Sequence, residues 1–430
     1  MDVRRSWIAL AVWVGLCASP LFAQDNLPTE VEDSPTTTAS CAMPPLDCDL
    51  GCDGQAVCDC PDSWRTISEG VGDCLGVDLR VWMVAGFTAN AHGNRTGVGN
   101  SPLGYNNVAD GPVMNQLWID AQKTVDTGGC GVDWGFHVDY HFGTDGPDNQ
   151  AFGDQGWDFG WNSSRDYGSA ILNANVSIGV NDLTVKFGKF ATFMGWEYSQ
   201  TPDNFFYSHT FMWYYGEPNS HTGVMATYAL GEDIEVNAGW TMGWDGGYEN
   251  YLGASTFLGN ITWTISDRAL FYWAVTVGDI GDGTAKNGAP SNAGDVFLNT
   301  YVIEYSLTDA LTYTFWHDFG VNRLAGADAQ WYGVAQSMIY EINPRLSVGA
   351  RHEWYRDDDG ARVVNNNGAG AGHYHDITLT ANWKPCDSIT LRPEIRWDWF
   401  DGVGQPYDPR GGIGTASSMF TAGGAMIVTF

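Results

Sequence analysis

Residues Gly131 to Phe142 read GVDWGFHVDYHF. Val132, Trp134, Phe136, Val138, Tyr140 and Phe142 share one parity, and Asp133, Gly135, His137, Asp139 and His141 share the other. A β-strand sends alternate side chains to opposite faces, so this stretch has one apolar and one polar face. A tilted strand of about ten such residues is long enough to cross a bilayer.

The same unit recurs to the end of the chain. Val77 to Phe87 and Ile234 to Trp244 alternate in the same way, as do Ala170 to Val180 and Ile389 to Trp399. Sixteen such stretches can be marked between Val77 and Phe430. With 54 Gly, 20 Trp, 19 Tyr and 20 Phe in 430 residues and no helical period past the first segment, the fold class is all-β.

Loop lengths decide which all-β fold. After every second strand the link is tight: Asn181-Asp182, Gly231-Glu232-Asp233, Ser266-Asp267-Arg268, Thr308-Asp309-Ala310, Asn343-Pro344 and Pro385-Cys386-Asp387. The others are long, including 143–168, 191–220, 279–295, 356–372 and 401–417. Short turns on one side and long polar loops on the other mark a transmembrane antiparallel up-and-down barrel with an even strand number. In hydrocarbon every backbone group must pair internally, and with strands only closure achieves this. The apolar parity then faces lipid, with Trp240, Trp244, Trp263, Trp383, Trp397 and Trp399 on it.

The amino-terminal segments are different. Arg4 and Arg5 precede the apolar run Trp7 to Leu16, and Leu21-Phe22-Ala23 ends in a small residue. Residues 1–23 therefore read as a signal peptide for export to the outer membrane. Residues 24–74 carry eleven acids, one base and six cysteines, Cys41, Cys48, Cys52, Cys58, Cys60 and Cys74. An exported segment without a core is expected to be stapled by disulfides, here as a short periplasmic extension. Cys130 and Cys386 fall in periplasmic turns and complete eight cysteines in the mature chain, so at least one is expected to bridge to the extension. Residues 75–430 form the barrel.

Charge bounds the partners. The chain carries 51 acids against 20 bases, a formal −31, of which 39 acids and 17 bases lie in the barrel. Nucleic acid is excluded as a partner, and cations are favoured over anions. The partners expected are the bilayer and small hydrophilic solutes or ions. A homotrimer is open to a barrel of this size, but subunit and lipid contacts look alike in sequence.

About sixteen strands enclose a lumen wide enough for water. Its expected lining is Asp78, Arg80, Asp133, His137, Asp139, Lys186 and Glu235, with Asp120, His141, Glu304 and Asp318 on the same parity. Near the end of the chain Arg351 and Glu353 share one face, as do Arg392, Glu394, Arg396 and Asp398. Wall charge sets local ion concentration, so the acidic balance implies a cation preference. An arginine face opposite an acidic one would instead create a transverse field.

The segment ATFMGWEYSQTPDNFFYSHTFMWYYGEPNSH, Ala191 to His221, is too aromatic to stand in solvent. It is expected to fold into or over the pore mouth, with Trp196, Glu197, Asn204, Phe206, Tyr207, Glu217 and His221 in the constriction. Gly188-Lys189-Phe190, Gly195-Trp196-Glu197, Asn204 to Ser208, Gly216-Glu217-Pro218 and His221 to Val224 together resemble the OmpL-like β-barrel porin family. Arg351 to Tyr355, Arg356 to Gly360 with Arg362, and Asn90 to Asn94 with Gly99-Asn100 are similar to further stretches of it. The resemblance covers most of 75–430 and implies an outer-membrane porin, without naming a solute.

Other chemistry is weaker. Asp357-Asp358-Asp359-Gly360 offers oxygen atoms of the kind Ca²⁺ takes, though an Asp-Gly loop tip is the commoner explanation. His137 and His141 stand about 13–14 Å apart along a strand, too far to share a metal. Ser208, His209 and His221 come with no nucleophile elbow, so an enzyme is not expected. The alternative to a porin is a structural or adhesive barrel whose extension touches the cell wall.

Overall fold

The computed structural model describes residues 77–430 apart from 92–98, 110, 152–156, 159, 165, 249–252, 283–292, 325–326, 364–369 and 408–415. The signal peptide, the extension with its six cysteines, and His92 to Asn94 of the Asn90 to Asn94 motif lie outside the described residues.

The strands are β1 (Asp78–Asn90), β2 (Pro112–Lys123), β3 (Val132–Gly143), β4 (Gly168–Ala170), β5 (Ala174–Val180), β6 (Leu183–Ala191), β7 (Ser220–Leu230), β8 (Ile234–Thr241) and β9 (Ser255–Ser266). They continue with β10 (Ala269–Asp282), β11 (Ala293–Thr308), β12 (Leu311–Leu324), β13 (Ala327–Asn343), β14 (Leu346–Asp357), β15 (Gly372–Cys386), β16 (Ile389–Gly402) and β17 (Ser418–Thr429). All pairings are antiparallel, and β1 pairs with both β2 and β17, so the sheet closes on itself. The last residue joins the seam, Phe430 N donating to Val81 O at 2.9 Å.

β4 and β5 share one place in the wall. β3 pairs with β4 through His141 to Gly143 and with β5 through Val132 to Val138, giving sixteen wall positions. Between them Ile171 to Asn173 leave the ladder. The Asp139 carboxylate replaces the missing partners, accepting from Leu172 N at 2.8 Å, Asn173 N at 3.0 Å and Asn173 Nδ2 at 2.7 Å. A buried amide left unpaired is costly, so this carboxylate makes the break tolerable.

The alternation sorts the faces as expected. Trp134, Val138, Ile178, Phe187, Tyr228, Trp240, Trp263, Trp383 and Trp397 are exposed on the outer wall. Trp244 departs from that reading: it is buried. β8 ends at Thr241, and a turn with positive φ at Gly243 and Asp245 sends Trp244 inward against Trp331. No helix among the described residues is long and apolar enough to cross a membrane.

Candidate functional site: a lumen filled by one loop

The 192–219 loop leaves β6, crosses the lumen and returns to β7. Its neck is closed by Thr192 N donating to Asn219 O at 2.9 Å. His221 is buried there, 3.1 Å from Thr192 Oγ1 and 3.2 Å from the Gly243 carbonyl. Gly195 has φ +70, and an added Cβ would lie 2.0 Å from Glu217 Oε2, so only glycine fits that bend. Asn204 ties the next turn, its Nδ2 donating to Tyr198 O at 2.6 Å while its Oδ1 accepts from Tyr198 N at 2.9 Å. Helix α1 (Phe211–Gly216) ends the inward excursion, with Thr210 accepting from Trp213 N at its N-cap.

The wall holds this loop with charged side chains. Glu394 accepts from Tyr207 N at 2.8 Å and Ser208 N at 2.9 Å. Glu353 accepts from Phe211 N at 2.8 Å and Met212 N at 2.7 Å, where the first amides of α1 have no helical partner. Arginines take the carbonyls. Arg392 donates to Thr201 O at 3.0 Å, Arg351 to Ser208 O at 2.8 Å, and Arg396 to His209 O. Arg351 also pairs with Glu197 at 2.8 Å, and Arg396 with Asp398 at 2.6 Å. Arg351, Glu353, Arg392, Glu394 and Arg396, predicted from β14 and β16, therefore stand on the lumen wall, but they face the loop and are buried, with Asp398 buried beside Arg396.

Glu197 gathers donors from the wall and from the loop itself. It accepts from Arg351, from Thr210 N at 3.0 Å and from His209 Nδ1 at 3.0 Å. Burial alone would raise its carboxyl, but Arg351 and His209 outweigh that and hold it below its ordinary value. His209 also stacks on Trp213 with centroids 4.1 Å apart. Ser208 Oγ instead meets Arg351 and Arg396, both at 3.3 Å, so serine and histidine serve different partners. Apolar packing fills the remaining space: Met194, Phe211, Met212, Trp213 and Tyr215 join Leu258, Tyr272, Leu298 and Trp316 from the wall in one buried cluster. Trp196 packs against its edge, and Phe206 lies under the Arg351 guanidinium at 5.0 Å.

Two other loops support the plug. Tyr105 donates to Asn149 at 2.6 Å, and Tyr214 to Asp148 at 2.7 Å. Asp145 accepts from Gln116 Nε2 at 2.8 Å, and Gln116 in turn donates to Ser199 O at 2.7 Å. Burial pushes the Asp145 carboxyl up to about 8.

The remaining predicted residues divide between pairs and a cleft. Arg80 reaches the loop at Asp203, 2.8 Å away. Asp78 accepts from Gln122 at 3.0 Å, and Asp133 pairs with Lys123 at 3.0 Å. His137, Lys186 and Glu235 line one small polar cleft of about 40 Å³ with Asn173, Asn237 and Asn260, bordered by Phe190 of β6 and Phe193 of the loop. His137 also approaches Asp120 at 3.0 Å, and with Asp139 these form the group among the described residues whose donors could meet a metal, within 4.8 Å of one another. Asp139 is committed to the β4–β5 break. The three aspartates of the acidic tip do not converge: Asp357 accepts from Ala361, Arg362 and Val363 amides, Asp358 pairs with Arg356, and Asp359 accepts from Gln330 N.

Gln116 and Asp376 help hold the loop and carry no motif; inward parity is their sole signal. Gln116 reaches Ser199 O at 2.7 Å, and Asp376 lies 3.6 Å from Arg351 and 3.5 Å from Arg396. Arg362, from the 358–371 loop, donates to Tyr215 O at 2.8 Å. Of the turn cysteines, Cys130 is a free, exposed thiol, which departs from its expected pairing. No other described cysteine shares its turn.

A sixteen-position barrel with an inward loop is porin architecture, and the family comparison agrees. The family model described as "Putative beta-barrel porin-2, OmpL-like" matches residues 76–430. The chain belongs to this family of outer-membrane porins. Among solved structures, this porin is similar to the outer membrane channel DcaP of Acinetobacter baumannii, at 12% identity and TM-score 0.54, covering 82% of this chain and 97% of that one. OprB of Pseudomonas putida matches at 12% and 0.55, covering 85% and 97%. OmpT of Vibrio cholerae in trimer form matches at 13% and 0.51, covering 82% and 99%. At these identities the likeness is one of fold. No curated protein matches this porin.

Proposed function

We propose that this porin passes small hydrophilic solutes by passive diffusion and favours cations. The observation that carries the reading is the fate of the wall arginines. Arg351 pairs with Glu197 and Arg396 with Asp398, and Arg392 is buried against the loop carbonyls of Thr201 and Phe206, so none of the three presents its charge to an open lumen. The barrel and loops as a whole are strongly acidic, with 39 acids against 17 bases. A water-filled path bounded by such a wall concentrates cations. The cleft of His137, Lys186, Glu235 and three asparagines is the polar route past the loop in this reading. Residues 1–23 direct export. Assembly as a homotrimer belongs to the same proposal, as for the OmpT trimer.

Single-channel recording of the mature protein under a salt gradient tests this. Steady conductance with a cation-selective reversal potential supports it, and anion selectivity contradicts it. The density of the loop packing favours a second reading, a closed structural barrel whose extension contacts the cell wall. A silent barrel that stays silent after removal of 24–74 would move that reading ahead.

A further inference from the structure

We infer that the outward wall formed by β12 to β15 is covered by another copy of this chain, not by lipid. The inference rests on the porin reading and assigns the face through which copies meet. On the inward parity of these strands stand the buried pairs Trp316 and Asp318, Ala335 and Ser337, Arg351 and Glu353, and Tyr374 and Asp376. The residues between them, His317, Gln336, His352 and His375, therefore point outward. Gln336 pairs in register with both Phe315 and His352, and His375 with Trp354, so the four form one polar stripe across adjacent strands.

The stripe lies within the apolar band. His317 is the seventh of 14 residues in β12, and His352 the seventh of 12 in β14. Exposed Tyr340, Val348, Leu379 and Trp383 lie toward the tight turns. Trp354 and Trp399 lie toward the long loops, with His375 stacked on Trp399 at 4.8 Å. The opposite wall has no such feature. From β3 through β9 the outward residues at mid-strand are apolar: Val138, Ile178, Phe187 and Val224, with Ala238 and Ile261.

Hydrocarbon returns no hydrogen bonds, so polar side chains at this depth turn toward protein or water. Headgroups lie beyond the strand ends and do not reach mid-strand. A second copy does: Gln336 Oε1 already accepts from Tyr313 OH at 2.7 Å, and its amide N–H groups with three imidazoles supply donors and acceptors for a like surface. Outward Ala350 and Ala381 beside the stripe let another backbone approach closely.

The test extracts the full-length exported protein in mild detergent, measures mass by light scattering, and records conductance from the same sample. The wild type is expected to hold more than one copy. Gln336→Leu with His352→Leu, which suits lipid, should shift it about tenfold toward single copies. The barrel should keep its heat-modifiable migration and its conductance per barrel. Phe187→Leu with Trp240→Leu, on the opposite wall, should leave the mass unchanged. If the double variant fails to fold, Gln336→Met keeps the volume and should move the mass the same way. A single-copy wild type overturns the inference, as does an assembly that persists in these variants or a mass completed by a different protein. Loss of conductance in the wild type would count against the porin reading alone.

Discussion

Arg351 on β14 and Glu197 in the inward loop lie 2.8 Å apart, 154 residues apart in sequence and both almost wholly buried. Removing one partner of such a pair leaves the other charge buried and uncompensated, at a cost of about 3–5 kcal/mol. Arg351→Ala should therefore release the loop while the closed sheet stays intact. Single-channel traces should show larger, noisier conductance than wild type. Unchanged traces would mean that apolar packing alone holds the loop.

Glu353 and Glu394 each accept two loop amides. Each such buried hydrogen bond contributes about 0.5–1.5 kcal/mol. Glu353→Gln and Glu394→Gln should each raise the rate of protease cleavage within 192–219 in detergent. Because they grip different parts of the loop, Glu353→Gln should expose the Phe211 end first. Cleavage mapping by mass spectrometry reads this directly.

Asp139→Ala removes the acceptor of three N–H groups at the β4–β5 break. A loss of about 1–3 kcal/mol is expected in denaturant-induced unfolding. Selectivity should change little, because Asp139 is buried and committed to the backbone. A large selectivity change without destabilisation would make it a pore residue.

Two carboxyls outside the strands give the plug opposite responses to pH. The Asp145 carboxyl is raised to about 8, so the folded protein holds a proton that the unfolded chain has released. Its contribution is full below the ordinary carboxylate range and is lost as pH rises through about 8. Glu197 is lowered, so its contribution is present above the ordinary range and is lost as pH falls through its folded value. Loop protection should be greatest at mildly acidic pH and fall on either side. Asp145→Asn should remove the alkaline fall and spare the acid one, as followed by hydrogen exchange of 192–219.

Cys130 is the free cysteine among the described residues, and Cys386 is not free. We propose that Cys386 pairs with a cysteine of the 24–74 extension. Non-reducing peptide mapping should recover Cys386 joined to an extension peptide and Cys130 as a modifiable thiol. Recovery of Cys386 as a free thiol would dismiss the pairing.

The barrel was legible because a bilayer enforces strict alternation, as in Trp134, Phe136 and Val138 against Gly135, His137 and Asp139. The tight turns fixed the sidedness. Trp244 misled because parity has meaning only while the strand lasts, and β8 stops at Thr241. The inward loop was readable from its aromatic content, but not how it is held. Arg392, Glu394 and Arg396 read as pore-lining because one parity shows that a residue points inward without showing what meets it there. The partners come from a loop some 190 residues away. The break between β4 and β5 was invisible because a bulge changes pairing and leaves composition unchanged.

Reversal potential in a planar bilayer under a salt gradient tests the central claim most directly, with Arg351→Ala recorded beside the wild type. A cation-conducting channel in which wild-type conductance is small and the variant's larger is the predicted result. Anion selectivity in the wild type would contradict the account, because it would mean that the buried arginines still govern the pore.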